Sequence, residues 1–262
     1  SSCSEEEIRN ALAIFPAALQ RRDVYGRSPL FYALKCECSF EIATLLFDAF
    51  PDAILFQDFC GDTPLYLLYH WNKDYRILEH ILTKMPSLAV HKENTFSGQP
   101  LYKRLFAPWA SKQLSVTKPD KVRNEMHKDR WRKLVLTVRA AHVHMTGETD
   151  IQPELHVALR VACPFPVLIR FVELYPDQAS MLMMTDSCYP LHFFLSRHDV
   201  TRESQSVVQS LISAYPEAIN RRCQGRLPLH LAIDSGRKWE NGVEDIVYAG
   251  PNNLDCVDPH SG

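Results

Sequence analysis

The chain is 262 residues long, 46% hydrophobic and 10% aromatic, a composition that builds packed cores and excludes a disordered tail. Its 29 basic and 31 acidic residues leave a formal charge of −2, so no global field draws it to nucleic acid or an anionic membrane surface. No apolar run approaches the roughly 18 residues of a membrane span, and the opening SSCSEEE lacks the basic start and apolar stretch of a signal peptide; the expectation is a cytoplasmic or otherwise intracellular chain without membrane insertion.

Residues 4–19 read as a helix, with Ser4 and Glu7 at capping-box spacing and Phe15-Pro16-Ala17-Ala18 ending it. Then comes GRSPLFYAL at 26–34. Gly26 suits a tight hairpin that needs positive φ, Ser28 can cap free N–H groups, and Pro29 stands at the first helical position, where its missing donor is harmless. Leu30, Ala33 and Leu34 share one face, and Ile42, Leu45, Leu46, Ala49 and Phe50 mark a second helix that Pro51 ends. The order returns as GDTPLYLLY at 61–69, with Thr63 as the cap, Pro64-Leu65 opening the helix, and Leu78, Ile81, Leu82 and Met85 preceding Pro86.

A third round starts at Ser97 and Pro100-Leu101, is interrupted by an insertion around 107–124, and resumes as a helix from about Asn124 to Met145. Trp131, Leu134, Val135, Val138, Ala141 and Met145 are its expected apolar stripe, with Gly147 as terminator. Further rounds carry His156, then Pro190-Leu191-His192, then GRLPLHLAI at 225–233 with Pro228, Leu229 and His230. Pro29, Pro64, Pro100, Pro153, Pro190 and Pro228 are separated by 35, 36, 53, 37 and 38 residues, and Pro16, Pro51, Pro86, Pro176, Pro216 and Pro251 recur in step. Three residues before five of the first set stand Gly26, Gly61, Ser97, Ser187 and Gly225, all small.

One such unit buries about six large aliphatic side chains, on the order of 10–18 kcal/mol. Ordering its backbone costs roughly 1–2 kcal/mol per residue, which is more. The units therefore have to stack, each covering its neighbour.

The period and the motif together resemble the ankyrin repeats, whose pattern runs Asp-x-x-Gly-x-Thr-Pro-Leu-His-x-Ala. Asp58, Gly61, Thr63, Pro64 and Leu65 match it, as do Asp23, Gly26, Pro29, Leu30 and Ala33, and Gly225, Pro228, Leu229, His230 and Ala232. The resemblance implies an all-α fold, an ankyrin-repeat solenoid of helix-turn-helix units joined by short hairpins, with one insertion. It divides the single array 1–262 into a partial repeat 1–22, repeats 23–57, 58–93, 94–146 (insertion 107–124), 147–183, 184–221 and 222–256, and the start of another at 257–262. It also implies that His156, His192 and His230 bond to backbone near their own and the adjacent hairpin. The family's Gly-Ala-Asp after the second helix is replaced by Phe50-Pro51-Asp52-Ala53, Tyr175-Pro176-Asp177-Gln178 and Tyr215-Pro216-Glu217-Ala218, the mark of a divergent subfamily.

Catalytic signatures are missing: there is no dinucleotide or phosphate-cradling Gly motif, no Gly-x-Ser-x-Gly and no His-Glu-x-x-His. No cofactor, metal, nucleic acid or small-molecule substrate is expected. His142 and His144 lie two apart on a helix and diverge by about 200°, so they read as surface residues rather than ligands. Eight scattered cysteines read as reduced thiols, Cys36 and Cys38 as small buried hydrophobes, and Cys188 and Cys223 as near hairpin tips. Eight basic against three acidic residues between Lys112 and Lys133 read as a solvated loop and helix face, with a docking patch for an acidic partner as the alternative.

The positions that vary from repeat to repeat are the candidates for recognition: Tyr25, Arg27, Phe59, Asp62, Phe96, Gln99, Gln224 and Arg226. Tyr25, Phe59 and Phe96 would project an aromatic from three successive hairpins, as suits a binding hot spot. The function expected is a non-enzymatic scaffold that binds a protein partner through hairpin tips and first-helix faces. The alternative is a regulatory or targeting segment of an enzyme whose catalytic domain lies outside this chain.

Overall fold

The computed structural model describes residues 5–70, 74–91, 121–150, 152–161, 163–183, 187–198 and 200–260, and for 121–127 the backbone alone. The described residues hold twelve α-helices and no strand, so the fold is all-α. They are α1 (Glu5–Ile14), α2 (Pro29–Lys35), α3 (Phe40–Ala49), α4 (Pro64–His70), α5 (Tyr75–Lys84) and α6 (Lys121–Thr146), then α7 (Glu154–Arg160), α8 (Phe165–Leu174), α9 (Pro190–Leu195), α10 (Ser204–Ala214), α11 (Pro228–Asp234) and α12 (Val243–Ala249). The residues up to Gly147 form one compact unit and those from Glu148 a second. Phe96, Gln99, Pro100, Leu101, Ser4 and most of the insertion lie outside the described residues.

The short helices begin as their sequences require. The Ser28 hydroxyl accepts the N–H of Phe31 at 3.2 Å and the Thr63 hydroxyl that of Tyr66 at 3.0 Å, while Pro29, Pro64, Pro190 and Pro228 stand first in α2, α4, α9 and α11. Helices α1, α3, α5, α8, α10 and α12 each end two residues before a proline, and the local structure there is more than a helix stop. Pro16, Pro51, Pro86, Pro176, Pro216 and Pro251 each open a five-residue 3-10 turn. The residue before each proline takes φ between −131° and −150°, outside the helical region that the proline ring denies it. Its carbonyl then accepts the N–H of the third turn residue: Ala18, Ala53, Leu88, Gln178, Ala218 and Asn253 all donate in this way, at 3.0–3.3 Å.

In the N-terminal unit α2 packs on α4, while α1, α3, α5 and α6 lie in a second row, each against the next. In the C-terminal unit α7, α9 and α11 form one row and α8, α10 and α12 another. Each row covers the other's apolar face. Leu34, Phe47, Leu68 and Ile81 are fully buried in the first unit, and Leu168, Phe171, Phe194 and Val208 in the second.

The expected stripe of α5 is buried, with Leu78, Ile81 and Leu82 in the core, whereas those of α3 and α6 are rotated by a fraction of a turn. In α3 the core residues are Ala43, Leu46 and Phe47, and Ala49 is exposed. In α6 Leu134, Val138 and Ala141 are buried as expected, but Met145 is 62% exposed, while Lys133, Thr137 and His142 are buried. His142 is thus not a surface residue, although His144 is. Gly147, at φ +73°, ends α6 with its N–H on the Val143 carbonyl at 2.8 Å.

Candidate functional site

The hairpins between modules carry the candidate residues, and two of them are fully described in the N-terminal unit. Asp23 closes the first: its Oδ1 accepts the N–H groups of Tyr25 (2.9 Å) and Arg27 (2.8 Å), and its Oδ2 accepts the Tyr32 hydroxyl at 2.6 Å. That last bond, foremost, holds its carboxyl below the usual range. Asp58 repeats the design, its Oδ1 accepting from Cys60 (2.9 Å) and Asp62 (3.1 Å). Gly26 is at φ +81°, and a Cβ there would sit 3.3 Å from both the Gln57 carbonyl oxygen and the Phe59 ring, so this position serves both turn conformation and close approach.

The two turns are joined. The Phe59 N–H donates to the Tyr25 carbonyl at 2.9 Å, and Arg27 Nε donates to Asp58 Oδ2 at 3.2 Å. Tyr25 and Phe59 nevertheless face solvent, 54% and 80% exposed, with Val24 at 78% beside them. Arg27 lies 5.0 Å from the Tyr25 ring centroid and is half-buried, as is Asp62. Arg27 is therefore occupied in joining hairpins rather than free for a partner.

The hairpin of the C-terminal unit has the same logic with different residues. Cys223 and Arg226 exchange both backbone bonds at 2.9 Å around Gln224 (φ +51°) and Gly225 (φ +83°), a two-residue hairpin. Gln224 is exposed. Arg226 grips Asp258 with two bonds, Nη2 to Oδ2 at 2.6 Å and Nε to Oδ1 at 3.1 Å, and reaches Asp234 at 3.0 Å. The guanidinium foremost holds the Asp258 carboxyl low. Arg27–Asp58 and Arg226–Asp258 are one device used twice, and sequence reasoning missed it, having assigned both arginines to a partner.

Three buried histidines bond across to backbone carbonyls. Nε2 of His156, His192 and His230 lies 3.1, 2.8 and 3.0 Å from the carbonyl oxygens of Gln178, Arg221 and Cys256, each within or just beyond the following 3-10 turn. A carbonyl only accepts, so each Nε2 carries the proton. His230 Nδ1 accepts the Leu227 N–H at 3.3 Å, whereas Nδ1 of His156 and of His192 is buried without a partner. Burial pushes the pKa of both below the usual 6.5.

Because the unfolded chain binds these protons more readily than the folded one, stability is complete above about pH 6.5 and falls as pH drops through the depressed folded values. Acidification from pH 7.5 to 5.5 is expected to lower the protection of amides in α7, α9 and the turns that receive them, measured as exchange relative to the intrinsic rate at each pH. His156→Gln with His192→Gln should flatten that response; an unaltered response would place its origin elsewhere.

Three buried or half-buried cations serve the other end of the short helices, where carbonyls lack intrahelical partners. Lys133 Nζ donates to the Leu68 carbonyl at 3.0 Å, Arg197 Nη1 to that of Leu159 at 3.2 Å, and Arg237 Nη2 to that of Phe194 at 3.2 Å. Lys133, which the local charge pattern places on a solvated face, is only 3% exposed.

The cysteines differ most from expectation. Cys188 and Cys223 are buried and joined as a disulfide, Cα atoms 5.2 Å apart, rather than reduced near exposed tips. Cys36 is exposed and Cys38 half-buried, not packed together in the core. Among the described residues no group of three or more His, Cys, Asp or Glu is arranged to hold a metal ion, and no helix is long and apolar enough to cross a membrane. No protein-family model matches the chain, and no curated protein matches it.

Proposed function

We propose that the chain is a divergent ankyrin-repeat solenoid and a non-enzymatic scaffold that binds a protein partner through its hairpin tips and the adjoining first-helix faces. The supporting observation is the pair of aromatic side chains at adjacent tips: Tyr25 and Phe59 stand 54% and 80% exposed on turns fixed by carboxylate caps and by the Phe59–Tyr25 backbone bond. Turns fixed in this way are ordered before binding, so little loop entropy opposes docking. The helix-helix-turn order and the His-to-carbonyl bonds support the family reading.

The test is to capture partners with the wild-type chain, identify one by mass spectrometry, purify it and titrate it calorimetrically. Tyr25→Ser with Phe59→Ser is expected to lower the affinity by about tenfold or more while the circular dichroism stays native. An unchanged Kd would move the contact surface away from these tips.

A further inference from the structure

We propose that Cys188 and Cys223 form a reversible thiol–disulfide staple, closed by a low-molecular-weight disulfide such as oxidised glutathione and reopened by the corresponding thiol, that locks two neighbouring turns of the C-terminal unit. This inference does not depend on the binding reading.

The two turns hold their shape without the sulfur bridge. Around Cys188 the Met183 N–H donates to the Cys188 carbonyl at 2.8 Å and the Ser187 N–H to the Met183 carbonyl at 2.9 Å. Around Cys223 the hairpin closes through its own pair of 2.9 Å bonds to Arg226. His192, two residues beyond the proline that opens α9, reaches across to the Arg221 carbonyl at 2.8 Å and fixes one turn on the other. Reduction therefore leaves both thiols within bridging reach, since a Cα separation of 5.2 Å is in the range a disulfide spans. A pair held together in this way closes and opens without refolding, because the second thiol stays at high effective concentration.

The other thiols point the same way. Among the described residues Cys36, Cys38, Cys60, Cys163 and Cys256 are free, so one bridge coexists with five thiols instead of belonging to a framework of structural disulfides. Both bridging residues adjoin exposed left-handed positions, Ser187 at φ +51° before Cys188 and Gln224 at φ +51° after Cys223. A small reagent would approach the buried pair past these exposed turn residues.

Closure is two successive exchanges. One protein thiol loses its proton, and its thiolate attacks the small disulfide, forming a mixed disulfide and releasing one small thiolate. The second protein thiolate then attacks the protein sulfur of that mixed bond and releases the other. The protein is oxidised by two electrons, the small disulfide is reduced to two thiols, and the two protons end on the leaving groups.

The full chain is equilibrated with graded mixtures of reduced and oxidised glutathione, then alkylated and digested. A Cys188–Cys223 linked peptide is expected to appear over a defined range of ratios and to disappear when the ratio is reversed. Amide exchange around Ser187–Tyr189 and Cys223–Arg226 should slow at least about tenfold in the linked form. Cys188→Ser with Cys223→Ser should fold, show no exchange response to the ratio, and leave Cys36 and Cys60 alkylated as before. No linked peptide at any ratio, a bridge to another cysteine, a bridge that small thiols never reopen, or unchanged exchange between the two forms would each overturn the proposal.

Discussion

Replacing Phe194 with alanine is expected to destabilise the C-terminal unit by about 3–5 kcal/mol, the usual cost of emptying a fully buried phenylalanine site. The ring is completely buried. The Phe165 ring meets it edge-on at 6.1 Å between centroids, and the guanidinium groups of Arg237 and Arg197 lie 5.1 and 5.6 Å from its centroid. The same residue's carbonyl accepts from Arg237 Nη2, whose Nη1 bonds the Ser204 hydroxyl at 2.9 Å. One position thus combines apolar burial with the seat of two cations, so alanine leaves both a void and guanidinium groups without their aromatic face. Collapse around the site is limited because α9 is short and packs on α7, α10 and α11 at once. Phe194→Leu fills most of the volume and should cost about 1–2 kcal/mol. Native-state hydrogen exchange across α9 and α11 measures both values; a loss below about 1 kcal/mol for the alanine variant would contradict the packing described.

Why the sequence made helix boundaries visible but not the contacts between helices follows from the range of each interaction. Pro29, Pro64 and Pro228 act on their own φ and on the residue before them, so helix starts and stops were readable within a few positions. The 3-10 turns after Pro16, Pro51, Pro86, Pro176, Pro216 and Pro251 arise equally locally, and the in-step second proline series was their signal. Helical spacing located α3 and α6 and fixed the inward side only to within a fraction of a turn. Phe47 rather than Ala49 entered the core, and Met145 stayed out, because the neighbouring helix sets the seam. Long-range polar choices had no local mark at all. The acceptor of Arg27 is 31 residues away, that of Arg226 is 32, and that of Lys133 is 65. Of the recognition candidates, Tyr25, Phe59 and Gln224 stand exposed, whereas Arg27 and Arg226 are engaged between hairpins. An arginine just after the hairpin glycine, with an aspartate 31 or 32 residues further on, is a pairing that a module-by-module comparison of columns could have revealed.

Lys133 carries the second large effect, and a pair of substitutions separates its charge from its packing. Its Nζ donates to the Leu68 carbonyl at 3.0 Å and stands 3.4 Å from Asp129, with the side chain 4% exposed. Burial, more than any other influence, lowers its pKa from the usual lysine value, and Asp129 opposes that shift. The ammonium is thus kept in place by a carbonyl from the last turn of α4, where the helix dipole is negative, and by one carboxylate. Lys133→Met retains much of the stem and removes the donor; losing a charged hydrogen bond to a buried acceptor should cost about 1.5–3 kcal/mol. Lys133→Ala removes the stem as well and should cost about 2–5 kcal/mol, with faster exchange in α4 and in the middle of α6. Urea denaturation of the two variants against the wild type gives both numbers. A methionine variant as stable as the wild type would mean that the stem alone matters there, and that the contact joining α6 to the end of α4 is hydrophobic rather than electrostatic.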